Sequence, residues 1–155
     1  MSTGSSDPAA STASRTMEPL NIDELDTFEL TSSSTDDGYW QAGWFAYGGG
    51  DGAEASAVLY FAIPPGKRLG QHTDTTEETV YILSGSGELL LDEGGRPVRP
   101  GDLVVLKQGV VHDLRSTGSE DLRVVAFFSG PVAEQVWTKE VWEPGHLTVT
   151  ASPNR

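Results

Sequence analysis

Between Gly66 and Gly85 the chain reads GKRLGQHTDTTEETVYILSG, which spaces His72, Asp74 and Glu78 at even intervals. Successive side chains of an extended strand alternate faces, so these three groups share a face if the segment stays extended. One imidazole and two carboxylates converging on one spot form a donor set for a divalent metal ion. Glu77, at odd spacing, is expected to face outward as a solvated carboxylate. The chain has three histidines. His112 opens a later strand, whereas His146 lies in the C-terminal arm and reads as a surface or interface residue.

The elements that must position these groups are short and β-rich. SAVLYFAI (56–63) is an apolar strand stopped by Pro64-Pro65-Gly66, and further strands are expected at 79–83, 88–91, 103–106, from 110, and at 122–128. Turn residues separate them: Ser84-Gly85-Ser86-Gly87, Asp92-Glu93-Gly94-Gly95, Pro100-Gly101-Asp102 and Lys107-Gln108-Gly109. At least six short strands with no amphipathic helix between them predict an all-β fold, a closed or nearly closed antiparallel β-barrel with room inside for a small ligand. Upstream, YWQAGWFAY (39–47) places Trp40 and Trp44 on one strand face and Tyr39, Phe45 and Tyr47 on the other. That strand reads as core, or as an aromatic wall at a pocket mouth. The glycine-rich loop 48–52 reads as a flexible hairpin, with a movable lid as the alternative. VAEQVWTKEVW (132–142) reads as a short helix or an extended arm. Its Trp137 and Trp142 must be covered, by the barrel or by a second copy of it.

At 155 residues the chain fits one domain with a real core. Residues 1–17 are expected to form a flexible, disordered tail, 18–147 a barrel domain with N- and C-terminal arms, and 148–155 a frayed end. The formal charge of −13, from 23 acids against 10 bases, disfavours nucleic-acid and membrane partners. There is no cysteine, which removes disulfides and thiolate metal sites. No apolar run is long enough to cross a bilayer, and the N-terminus does not read as a secretory signal, so a cytoplasmic location is expected.

Residues 66–112 resemble the two motifs of the cupin superfamily. The first motif runs glycine, five residues, His-x-His, three or four residues, Glu, six residues, glycine. Here Gly66, His72, Glu78 and Gly85 keep that spacing, and Asp74 stands at the second histidine. The second motif runs glycine, five residues, Pro-x-Gly, two residues, His, three residues, Asn. Here Gly101, Gly109 and His112 keep it, while Lys107 replaces the proline and Ser116 the asparagine. The resemblance implies a jelly-roll double-stranded β-helix over roughly residues 39–130. It also implies that His72, Glu78 and His112 hold a metal, with Asp74 as a fourth ligand. Alternatively, Asp74 orients His72 or accepts a bond from a metal-bound water. Two imidazoles with two carboxylates neutralise a divalent cation and favour Fe(II), Mn(II) or Ni(II), with Zn(II) also accommodated.

Three functions remain open. The first is a metal-dependent enzyme, dioxygenase-like or enolate-stabilising, on a small oxygen-rich organic substrate, with Glu78 or Asp74 as general base. Tyr47, Tyr60 and Tyr81 are then candidate pocket donors. The second is a binding module that holds a small ligand, a sugar or metabolite, without turnover, and the third a structural barrel with a decayed site. A variant of the first treats His72, Asp74 and His112 as the facial triad of a 2-oxoglutarate oxygenase, with Arg123 as cosubstrate anchor. A homodimer is expected from the Trp-bearing arm.

Overall fold

Runs such as ETVYILS and LRVVAFF bury alternate residues, the pattern of strands with one face in a core. The computed structural model describes residues 16–143 and 148–150, with the side chains of Trp44, Phe45 and residues 148–150 outside that description. Its strands are β1 (Phe28–Ser32), β2 (Tyr39–Tyr47), β3 (Ala57–Ile63), β4 (His72–Asp74), β5 (Glu78–Ser84), β6 (Gly87–Leu91) and β7 (Gly94–Val98). They continue as β8 (Leu103–Leu106), β9 (His112–Ser116), β10 (Leu122–Phe128), β11 (Glu134–Trp137), β12 (Trp142–Glu143) and β13 (Thr148–Thr150). The all-β expectation holds.

Two sheets form the sandwich. One has seven strands in the order β12-β1-β2-β3-β10-β5-β8, and the other six in the order β13-β11-β4-β9-β6-β7. Every strand pair within them is antiparallel. This is the double-stranded β-helix. The first sheet turns Trp40, Leu59, Phe61, Ile63, Ile82, Leu122, Val124 and Phe128 inward, and the second contributes Leu89, Leu114 and Trp137. Burial of each large apolar side chain contributes about 1.5–3 kcal/mol.

The C-terminal arm is part of this packing. It is extended as β11 and β12, and Trp137 and Trp142 are both buried within this chain. Trp40 meets Trp142 edge-on at 5.9 Å and 89°, and Trp137 lies 6.1 Å from Trp40. Such pairs add about 0.5–1.5 kcal/mol each beyond area burial. The two tryptophans are thus covered without a second copy, which removes the observation on which the homodimer expectation rested.

Two further expectations change. Thr148–Thr150, read as frayed, form β13 and pair with β11, while 151–155, the tail at 1–15 and His146 lie outside the described residues. The loop at 48–52, read as flexible, contains a 3-10 turn at Gly49–Asp51. The buried Asp51 carboxylate accepts the Gly48 N–H at 3.1 Å, and the Gly49 N–H donates to the Pro131 carbonyl at 2.8 Å. In β2 the pairing with β3 shifts by two residues between Gly43 and Tyr47; an even shift keeps the faces, so Trp40, Ala42 and Ala46 are buried while Gln41 and Tyr47 are half-buried. Trp40 is core, whereas the side chains of Trp44 and Phe45 lie outside the described residues.

The glycines that bracket the first motif differ in what they tolerate. Gly66 and Gly85 both have left-handed backbone, at φ 77° and 80°. A Cβ on Gly66 meets nothing within 4 Å, but one on Gly85 falls 2.3 Å from the Asp121 carbonyl oxygen. We therefore expect Gly66→Ala to cost about 1 kcal/mol, the ordinary left-handed penalty, and Gly85→Ala clearly more, about 3 kcal/mol or above. Denaturant unfolding of the two variants measures the difference.

Candidate metal centre

His72, Asp74, Glu78 and His112 come together as expected, but not by strand alternation. β4 supplies His72 and Asp74 from one face, with Thr73 between them turned outward. The chain then bends at 75–77, and Glu78 opens β5 in the opposite sheet. His112 enters from β9, registered directly against His72. The cluster therefore spans the two sheets at the point where the chain crosses between them. Glu77 is exposed, as expected.

One ligand atom from each of these four residues lies within 4.8 Å of the others, and all four residues are buried. His112 Nε2 lies 3.3 Å from both Asp74 Oδ2 and Glu78 Oε2. The imidazole centroids of His72 and His112 are 4.2 Å apart. Each ring uses its other nitrogen on the backbone: His72 Nδ1 lies 2.7 Å from the Gly70 carbonyl and His112 Nδ1 2.9 Å from the Val110 carbonyl. A carbonyl only accepts, so Nδ1 carries the proton in both rings and both Nε2 lone pairs face the cluster.

That leaves lone pairs facing lone pairs. His72 Nε2, both Asp74 oxygens and Glu78 Oε2 are buried without a hydrogen-bond partner. Burial, and then the neighbouring Glu78, pushes the Asp74 carboxyl up to about 9. Burial also raises Glu78. His72 is held well below its usual range by burial and then by His112, so in each of the three groups the charged form is resisted. Buried acceptors without donors are costly, and a divalent cation satisfies all of them at once. The residues fit such an ion.

On one side Glu78 and His112 border a narrow apolar space of about 10 Å³, lined by Phe61, Leu69, Val80, Ile82, Leu89 and neighbouring aliphatic side chains. That is room for about one water. No Lys or Arg lines it. On the other side the arm closes over the ligands. Trp137 lies against His72 with centroids 5.0 Å apart and planes at 31°, and Gln135 is registered against Asp74. Gln135 is 2% exposed, and its Oε1 has no partner. Gln135 was not visible in the sequence, because it reaches the site from a strand far along the chain with no motif around it.

Four residues singled out from sequence sit elsewhere. Arg123 lies on the outer side of β10, donating from Nε to the Tyr60 hydroxyl at 2.9 Å and pairing with Asp23 at 2.5 Å. It is therefore not placed to anchor a cosubstrate at the cluster. The Tyr60 hydroxyl is engaged by that same arginine, and the Tyr47 hydroxyl donates to the Glu18 carbonyl. Tyr81 lies at an outward position of β5, opposite Val125 and Leu103.

Residues 59–128 match the family model described as Cupin domain. Protein SchB of Streptomyces halstedii is 34% identical over 83 residues, covering 53% of this chain and 59% of that one. The chain thus spans less than two thirds of that relative. The polyketide cyclase RemF from Streptomyces resistomycificus superposes with a TM-score of 0.59 at 19% identity, over 72% of this chain and 78% of that one. A sugar phosphate isomerase from Silicibacter pomeroyi superposes with a TM-score of 0.58 at 18% identity, over 85% and 90%. At these identities the two structures speak for the fold.

The shifted carboxyls set a pH dependence. Asp74 has an ordinary value of 3.8 and about 9 in the fold. Between these values the unfolded chain has lost a proton that the folded chain keeps, so stability falls as pH rises. Glu78, also raised, acts in the same direction. The lowered His72 acts oppositely, but only below its usual 6.5. In chelator, thermal unfolding should therefore occur at progressively lower temperature from about pH 6.5 to 9, with a slope of up to about 1.4 kcal/mol per pH unit per proton. Asp74→Asn should flatten the slope.

Proposed function

We propose that the chain, whose residues 59–128 match the Cupin domain model, is a metal-dependent enzyme acting on a small, oxygen-rich, uncharged organic substrate by enolate-stabilising chemistry. One observation carries this reading: four buried side chains aim ligating atoms at one point, three of them with atoms that have no hydrogen-bond partner, beside an apolar interior. His72, Asp74, Glu78 and His112 would hold the ion, with Fe(II), Mn(II) or Ni(II) best matched to two imidazoles and two carboxylates. A divalent ion held there would supply Lewis acidity toward a carbonyl or enolate oxygen and, if iron, the capacity for dioxygen chemistry.

The protein's own groups do the rest. The two Nδ1–H contacts to backbone carbonyls keep both imidazoles aimed inward. Asp74 or Glu78, if one of them is loosely held by the ion, would be the base that takes a proton from a carbon next to a carbonyl. The two carboxylates balance a dication, so the centre gains nothing from an anionic substrate. With no Lys or Arg in the apolar lining, a phosphorylated substrate finds no counter-charge there. A compound with β-spaced carbonyls on an apolar body suits the site better, in keeping with the polyketide cyclase among the structural relatives.

A second reading has the same buried donor set hold a small ligand without turnover. Deuterium exchange separates the two. The chain loaded with Ni(II), Mn(II) or Fe(II) should speed α-proton exchange of an apolar 1,3-diketone in heavy water, followed by NMR. Glu78→Gln and Asp74→Asn should each lower that rate by about 10²-fold or more. Diketone binding without exchange would support the ligand-holding reading, and a chain that retains no metal would end both.

A further inference from the structure

The two strands that carry the histidines are weakly joined. β4 and β9 share one registered pair, His72↔His112, whereas β6 and β9 share five. Before β4 the chain is tied to β9 by backbone bonds, from the Ser116 N–H to the Lys67 carbonyl and from the Leu69 N–H to the Leu114 carbonyl, both 2.9 Å. Gly70 then interrupts the ladder with left-handed backbone at φ 104°. A Cβ there would lie 3.0 Å from Glu140, Trp137 and Trp142, so the position is enclosed as well as twisted.

Asp113 bridges the interruption. It follows His112 on β9 and is 5% exposed, and its carboxylate bonds groups outside the cluster. Oδ1 accepts the Gly70 N–H and the Leu114 N–H, each at 2.7 Å. Oδ2 accepts from Arg68 Nη1 at 3.0 Å. Arg68 is itself fixed by Asp37 at 3.1 Å and by the fully buried Glu140 at 2.8 Å. The carbonyl of Gly70 is the acceptor for His72 Nδ1–H. A continuous set of contacts therefore runs from Arg68 through Asp113 and Gly70 to one candidate ligand, while the backbone of Asp113 adjoins the other.

We propose that Asp113, held by Arg68, is a positioning residue for the metal centre, fixing Gly70 and thereby the aim of His72 relative to His112. The inference rests on the metal reading. Asparagine cannot substitute, although it matches in shape: its one carbonyl oxygen cannot serve both Gly70 N–H and Arg68, and its NH₂ would face a donor on one side. Glu140 provides the contrast, since it holds the same arginine but makes no bond to Gly70.

The test measures Ni(II) affinity, by competition with a chromophoric chelator, and thermal stability in the full chain and two variants. Asp113→Asn should weaken Ni(II) binding about 10-fold or more. Glu140→Gln should lower the unfolding temperature yet leave Ni(II) affinity within about twofold. Affinity unchanged in Asp113→Asn, or losses that simply track instability in both variants, would overturn the proposal. Should Asp113→Asn fail to fold, the imidazole nitrogen spectrum of the metal-free parent chain decides: an Nδ1–H tautomer at His72 supports it and an Nε2–H tautomer overturns it. A parent chain that binds no Ni(II), Mn(II) or Fe(II) would end the metal reading itself, a distinct result.

Discussion

The fold encloses four acceptor atoms on three side chains and gives none of them a hydrogen bond of good geometry. His72 Nε2, both Asp74 oxygens and Glu78 Oε2 are buried and unpartnered, with His112 Nε2 within 3.3 Å of both carboxylates. Left unsatisfied, such groups cost several kcal/mol, by about 1–3 kcal/mol for each neutral polar group and more for charged ones. The strongly raised Asp74 and lowered His72 express that penalty, because the site suppresses its own charges when nothing balances them. The surrounding structure makes sense as the means of holding this arrangement in place.

Three devices do so. The chain crosses from β4 in one sheet to β5 in the other between Asp74 and Glu78, which sets the two carboxylates against each other across the sandwich. Backbone carbonyls at Gly70 and Val110 fix both imidazole tautomers, in each case from two residues upstream. The C-terminal arm closes the far side with Trp137 against His72 and Gln135 beside Asp74, and the tryptophan cluster with Trp40 and Trp142 holds the arm down.

Much of this was legible in the sequence, for a physical reason. Strands, turns and the glycines that punctuate them are local, and so are the spacings that carry His72, Glu78 and His112. The even spacing of His72, Asp74 and Glu78 led to the right cluster through the wrong geometry: a bend at 75–77 places Glu78 in the other sheet. Trp137 and Trp142 were recognisable as residues that need cover, but nothing in their neighbourhood says that the cover is Trp40 and His72. Tyr47, Tyr60 and Arg123 look like pocket groups only until the alternation of β3 and β10 turns Tyr60 and Arg123 outward, and a contact to Glu18 takes up Tyr47. Asp113 adjoins His112 in sequence, yet its role depends on Gly70 and Arg68, which only the packed fold brings to it.

The central claim is that these four side chains form one metal centre. X-ray absorption at the metal edge of the Ni(II)-loaded chain tests it most directly. The account predicts one ion per chain with two imidazoles among its nearest ligands and oxygens filling the rest. A chain that retains no ion, or an ion with no imidazole in its coordination shell, would contradict it.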